Sequence, residues 1–477
     1  MEKGRVTVMS LFSRAYYYFE EISKIPRGSG NEGEIAAFVE RFAAERSLFA
    51  VRDGANNVYV RKNASPHREN DPGVVLQGHL DMVCEANADV AHDFTKDPIR
   101  LVRRGDILTA DGTTLGADNG VAVALMLAIL ESDEVSHPPL ECIFTADEEM
   151  GMTGMRAFDT SLVKGRMMIN LDSEGEGIAT VSCAGGVRTV ITLPAEKKAL
   201  PVGYEALRLS VTGLFGGHSG ADIHLGRANA IKTAARLLYS AAYDADVRII
   251  SIDGGSKDNA IPRECTVVFA TNDRKKAEDA IHREACAIPF VKDDENFRCA
   301  IEPCEADCES LAASDALLRL LCDMPYGVLA MSKGIEGLVE TSCNPGVIRT
   351  DGDAVRITAS SRSSVESEID ALERTLASLA EAAGGTFAHR NRYPGWEYKE
   401  GTALQRKYLE TFRALCGRGA SVVGIHAGLE CGLFMQRVPD MDIIAIGPEV
   451  TNLHSPDETL VVSTYERLCE LVEAMLK

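Results

Sequence analysis

His79 and Asp81 sit one residue apart in Gly78-His79-Leu80-Asp81, ahead of Asp118, the adjacent pair Glu148 and Glu149, Asp172 and, far downstream, His454. Imidazole nitrogens and carboxylate oxygens are zinc donors, and a catalytic zinc takes three of them and keeps a position open. This set can serve two such ions with carboxylates left over to move protons. The chemistry it points to is metal-assisted hydrolysis. Singly, each residue has a plainer reading: an Asp heading a helix is an N-cap worth about 1 kcal/mol, adjacent acids are a solvated pair, and His454 is a loop histidine. Their joint occurrence in this order carries the inference.

Bringing these groups together asks for strands. Val74-Val75-Leu76 is an apolar run ending at Gly78, so it delivers His79 and Asp81 at its carboxyl end. Leu140 to Thr145 does the same for Glu148 and Glu149, and Met167 to Leu171 for Asp172. Asp118-Asn119-Gly120 opens an apolar helix from Val121 to Leu130, which puts Asp118 at its N-terminus. Ligands of open α/β sheets collect beyond the carboxyl ends of the strands, where all these groups would meet.

The texture changes near Val187 and changes back near Tyr393. We expect an α/β protein whose catalytic domain, with a mixed, mostly parallel sheet, is discontinuous. Residues 1–186 form its first part, 187–392 an inserted α+β lid domain, and 393–477 its second part, which carries His454. Within the insertion, Leu207 to Ala270 and Gly346 to Phe387 each read strand, helix, strand, which suggests an internal duplication.

The length of 477 residues exceeds what one core supports, so two domains are expected. A net charge of −21 argues against nucleic acid or an anionic membrane as partner. The N-terminal stretch lacks the apolar core of a signal peptide, and no apolar run has membrane-spanning length. The odd count of 13 cysteines fits free thiols in a reducing cytoplasm. Cys304 and Cys308 lack a second Cys/His pair, and the Cys299 to Cys308 stretch suggests no role.

The phrases GHLDMVCE, LGADNGVAVA, TADEEMGMTG, NLDSEGEG and LFGGHSGADIHLGRANA resemble the zinc peptidase family that includes carnosinases, tripeptidase T and glutamate carboxypeptidases. The resemblance spans nearly the whole chain and implies a role for each residue. His79 and Asp172 would hold one zinc, Glu149 and His454 the other, and Asp118 would bridge them. Cobalt or manganese could replace zinc. The Asp118-Asn119 peptide would be cis. Glu148 would be the general base towards the zinc-bridging water, and Asp81 would fix the tautomer of His79. His218, in Phe215-Gly216-Gly217-His218-Ser219-Gly220, would stabilise the oxyanion from the lid.

For the substrate, the resemblance points to Asn259 as a hydrogen-bonding group and to Arg263 or Arg362 as partner of a terminal carboxylate. Gly428 and Glu430 would line the substrate side, with Glu430 towards the amine; His426 is left as supporting structure. The activity implied is hydrolysis of dipeptides with a free N-terminus, Xaa-His dipeptides and carnosine among them. An N-acyl amino acid amidohydrolase using the same metals is the alternative. Every position such an enzyme needs is filled, which argues against a non-catalytic scaffold. Two assemblies stay open: a homodimer joined through the lid, or one chain whose enlarged lid stands in for a partner.

Overall fold

A computed structural model describes residues 9–306 and 308–477. The chain forms two compact units. The first draws on residues up to Val181 with Lys399–Gly424 and Leu433–Lys477, the second on Ser182–Tyr398 and Ile425–Gly432. The return segment is therefore split: Ile425–Gly432, read above as catalytic-domain sequence, belongs to the second unit. Backbone bonds contribute to its tie: the N–H of Ala184 donates to the carbonyls of Ile425 (3.1 Å) and Ala427 (3.0 Å).

An eight-stranded sheet organises the first unit. Its spatial order is Phe49–Arg52, Val58–Lys62, Leu140–Thr145, Val74–His79, Met167–Asn170, Asp442–Ala445, Ile178–Cys183 and Ser421–Ile425. The middle four strands run parallel, and antiparallel neighbours flank them. Val74–His79 and Leu140–Thr145 are buried at every residue. Both faces of a parallel sheet are covered, which is why these strands read as continuous apolar runs.

The helix Ala117–Glu131 is apolar on all sides and buried along nearly its whole length, so hydropathy gives it no outward face. It packs on the helix Leu11–Ile22 and on the strand Val74–His79. At its start Asp118 and Asn119 leave helical geometry, and the peptide between them is cis. A smaller sheet pairs Leu101–Arg104, Ile107–Ala110, Thr459–Val461 and Val450–Thr451. The hairpin of its last two strands carries His454 in its loop.

The second unit has a nine-stranded antiparallel sheet with a duplication that differs from the expected one. One copy runs strand Glu205–Thr212, helix Ala230–Asp244, strands Val247–Gly254 and Cys265–Thr271, helix Arg274–Ala287, strand Arg298–Pro303. The other runs strand Gly185–Pro194, helix Ser314–Asp323, strands Val339–Asp351 and Ala354–Ser363, helix Glu366–Ala382, strand Thr386–Tyr393. In both, the sheet order is fourth, first, third, second, and the two second strands meet at Gly254 and Ile348. The first copy is nested inside the second. The stretch from Gly346 to Phe387 is therefore only the latter part of a copy, and contains two strands before its helix.

Local sequence explains the helices of this unit. Ala230–Asp244 buries Ile231, Ala234, Leu237, Leu238 and Ala241, one stripe of a 3.6-residue period. The Asn229 side chain caps it by accepting the N–H groups of Ile231 and Lys232. Among the described residues no disulfide forms, and no helix is long and apolar enough to cross a membrane.

Candidate metal centre

Three of the four central strands deliver a group at the carboxyl end. His79 closes its strand and is 1% exposed; Glu148 and Glu149 follow Leu140–Thr145, and Asp172 follows Met167–Asn170. His79 Nε2 lies 3.0 Å from Asp118 Oδ1 and 3.4 Å from Asp172 Oδ1. His454 Nε2 lies 3.2 Å from Asp118 Oδ2 and 3.0 Å from Glu149 Oε1. Asp118 thus offers one oxygen to each imidazole. Donor atoms of His79, Asp118 and Asp172 fall within 4.8 Å of one another, as do those of Asp118, Glu149 and His454, and those of His79, Glu148 and Glu149.

The electrostatics fit cations. Hydrogen bonds to Asp118 and Glu149 push His454 up to about 10. Burial works to lower His79, yet Asp172 and the carboxylates around it hold it well above the ordinary imidazole value. Burial, opposed by His79 but reinforced by Asp118 and Glu149, raises Asp172. Burial and the charges of Asp172 and Asp118 raise nearby Glu174 to about 7. Crowded carboxylates that draw protons onto both imidazoles make a site whose donor chemistry suits divalent metal ions.

Asp81 is fully buried behind the donors. Its Oδ1 is 3.4 Å from His79 Nδ1; it also accepts the N–H groups of Glu148 (3.1 Å) and Glu149 (3.3 Å) and the hydroxyl of Ser29 (2.8 Å). Burial alone would raise its pKa, but the bonds to His79 and Ser29 bring it down to about 2. The Asn119 side chain braces the same corner, accepting the N–H of His79 and donating to the Leu171 carbonyl. A Cβ at Gly78 would lie 2.4 Å from Asn119 Oδ1, so this strand must approach with glycine.

The remaining predicted residues lie in the second unit. His218 and Ala260 are paired in a two-stranded ribbon, which sets Asn259 and Arg263 beside the His218 loop. His218 Nδ1 accepts the N–H of Ala221 (2.9 Å) and faces that of Gly220 at 3.3 Å. Burial and then the charge of Arg362 lower its pKa. Arg362 is itself buried, donates to the Tyr393 hydroxyl (3.0 Å), and has an Nε with no hydrogen-bond partner. Asn259 gives its carbonyl to Ser219 (2.8 Å), and exposed Arg263 bonds the Leu214 carbonyl. Gly428 is half-buried and Glu430 fully buried at the head of the helix Glu430–Arg437. His426 is buried, with Nε2 2.7 Å from Ser342 Oγ.

Ser29, Arg27 and Glu458, all next to the donors, are absent from the sequence reading. Ile25-Pro26-Arg27-Gly28-Ser29-Gly30 and Asp457-Glu458 look like turns with solvated charge. The only local cue is that Glu458 follows four residues after His454.

Imidazoles and carboxylates converging beyond the carboxyl ends of parallel strands, with an acid to spare, define a metal-dependent hydrolase. Residues 75–477 match the peptidase family M20/M25/M40. The chain belongs to this family and is a metallopeptidase. It is 37% identical over 465 residues to the cytosol non-specific dipeptidase of Escherichia coli K12, covering 96% of each protein. The crystal structure of aminoacylhistidine dipeptidase from Vibrio alginolyticus superposes with a TM-score of 0.92 at 37% identity, covering 97% of this chain and 96% of that one. A tripeptidase from Staphylococcus aureus shares the fold, with a TM-score of 0.56 at 15% identity over 98% of both chains.

Proposed function

We propose that this metallopeptidase is a cytoplasmic dipeptidase acting on dipeptides with a free N-terminus, Xaa-His dipeptides and carnosine among them. The observation that carries the reading is Asp118, whose two oxygens face His79 at 3.0 Å and His454 at 3.2 Å. The relatives support the substrate class: one is named for aminoacylhistidine substrates, the other as a non-specific dipeptidase of the cytosol. Both names are peptidase names, which favours a peptide over an N-acyl amino acid.

In this reading His79 and Asp172 would hold one metal ion and Glu149 and His454 a second, with Asp118 available to both. Zinc is the expected metal, with cobalt or manganese as substitutes. Two such ions, when bound, supply Lewis-acid polarisation of the scissile carbonyl and acidify water. Glu148 takes the proton of the attacking water and returns it to the leaving amine. Asp81 holds His79 through Nδ1, leaving Nε2 as the donor.

His218 serves the oxyanion. Its Nδ1 is already an acceptor of backbone N–H, so the proton of the neutral ring sits on Nε2, ready to donate. Arg362 is assigned the substrate's terminal carboxylate, because a buried guanidinium with a spare N–H is completed by one. Arg263, packed along the His218 loop, supports that loop, and Asn259 is assigned a substrate hydrogen bond. Gly428 and Glu430 are assigned to the side that receives the free amine. The enlarged, duplicated second unit favours His218 serving its own chain; a homodimer joined through that unit is the alternative assembly. The acidic charge of −21 supports neither nucleic acid nor membrane as partner.

The test is an assay of zinc-loaded protein with leucyl-histidine, carnosine and N-acetyl-histidine. Histidine released from the free-amine dipeptides alone supports the proposal. Release from the acetylated compound alone would make the protein a deacylase.

A further inference from the structure

Two buried charges behind the donors take no part in the chemistry above. Arg27 and Glu458 are each 2% exposed. Arg27 Nη1 donates to the carbonyls of Leu80 (3.0 Å) and Asp81 (3.1 Å), and Nη2 donates to that of Gly116. Glu458 Oε2 accepts the N–H groups of Leu115 (2.8 Å) and Gly116 (2.9 Å), and Oε1 accepts that of Asp118 (3.2 Å). Gly116 is therefore held from both ends, its carbonyl by the cation and its amide by the anion.

Each contact falls beside a metal donor. Leu80 and Asp81 follow His79, Gly116 and Leu115 lead into Asp118, and Glu458 shares a hairpin loop with His454. Three distant segments are thus tied through two ions of opposite charge. There is no slack in the joint: a Cβ at Gly116 would lie 2.5 Å from Arg27 Nη2 and 2.7 Å from Met82 Sδ, and one at Gly120 would lie 2.7 Å from Arg27 Nη2. Desolvating an ion costs several kcal/mol, so a pair answered mainly by backbone groups is a costly way to gain stability alone. It is a good way to fix distances between donors.

We propose that Arg27 and Glu458 are positioning residues that set the separation of His79, Asp118 and His454 and thereby the affinity for metal. A guanidinium is required because its fork reaches the Leu80, Asp81 and Gly116 carbonyls together, which a single ammonium cannot do. The inference rests on the metal-centre reading above.

The experiment measures the zinc dissociation constant by competition with a chromogenic chelator, beside circular dichroism, for wild type, Arg27→Lys, Glu458→Gln and Gly116→Ala. Substituting partners that orient metal ligands weakens binding about 10- to 100-fold, and that loss is expected here with the fold retained. Affinity within about twofold of wild type in the folded variants overturns the proposal, even if they melt earlier. Failure of all three to fold also overturns it, by making the pair a requirement of the fold. If wild type and His79→Ala bind zinc alike, the metal-centre reading fails instead.

Discussion

The N–H of Glu148 donates to Asp81 Oδ1 at 3.1 Å. The buried carboxylate that faces His79 thus also fixes the backbone from which the proposed base projects. Orientation of the proposed metal donor and aim of the proposed base then depend on one carboxylate. Asp81→Asn keeps the shape but removes an acceptor and turns one end into a donor. Zinc affinity is expected to fall about 10- to 100-fold, read by chelator competition, with kcat falling further at saturating zinc.

Glu148→Gln separates proton transfer from metal binding. Loss of a positioned base costs about 10²- to 10⁴-fold in rate. We expect kcat for leucyl-histidine to fall in that range while metal content, read by atomic emission, stays at the wild-type value. A matching loss of metal would place Glu148 among the ligands.

His218→Ala removes the proposed oxyanion donor. A drop of about 10²- to 10³-fold in kcat with little change in KM is expected. Mixing His218→Ala with Glu148→Ala subunits should recover no activity if each chain uses its own His218. Recovery would show that the residue crosses to a partner.

Chelation should destabilise the first unit, since the ions that neutralise crowded carboxylates are removed. A ligand held at a hundredfold excess over its dissociation constant stabilises by about 2.7 kcal/mol. The melting temperature should fall in EDTA and return with zinc. His79→Ala should shift little between the two conditions.

His426, in the second unit, gives a pH dependence of its own. Burial, and then the charge of Arg362, hold it at about 3, below the ordinary value of 6.5. Between those two pH values the unfolded chain binds the proton and the folded one does not. Stability from this group is therefore complete above about pH 6.5 and lost as pH falls towards 3. His426→Asn should flatten the acid side of a plot of melting temperature against pH; an unchanged slope would reject the assignment.

What could be read from sequence follows from what local pattern encodes. Val74–His79, Leu140–Thr145 and Met167–Asn170 are legible because parallel strands buried on both faces leave apolar runs with their functional groups just beyond. His79, Glu148, Glu149 and Asp172 stand out in that way, Asp118 by heading an apolar helix, and His454 only by its place in the joint pattern; the structure puts donor atoms of these residues near one another. Arg27 and Glu458 do not stand out, because a charge in a turn carries no mark of burial. The nesting of the two copies was also hidden: strand order is set by long-range pairing, which periodicity does not record. The same long-range pairing places Ile425–Gly432 with the second unit, which its local pattern does not show.

That nesting constrains how the second unit is made. Gly185–Pro194 pairs with Ala354–Ser363 and Thr386–Tyr393, so during synthesis it must wait for the entire inner copy to emerge. Glu205 to Pro303 can meanwhile pair within itself. Loop-closure entropy is paid sooner for the inner copy than for the outer one. The sheet should grow from the inside outwards, with the inner copy as a template whose edge strand, Val247–Gly254, waits for Val339–Asp351.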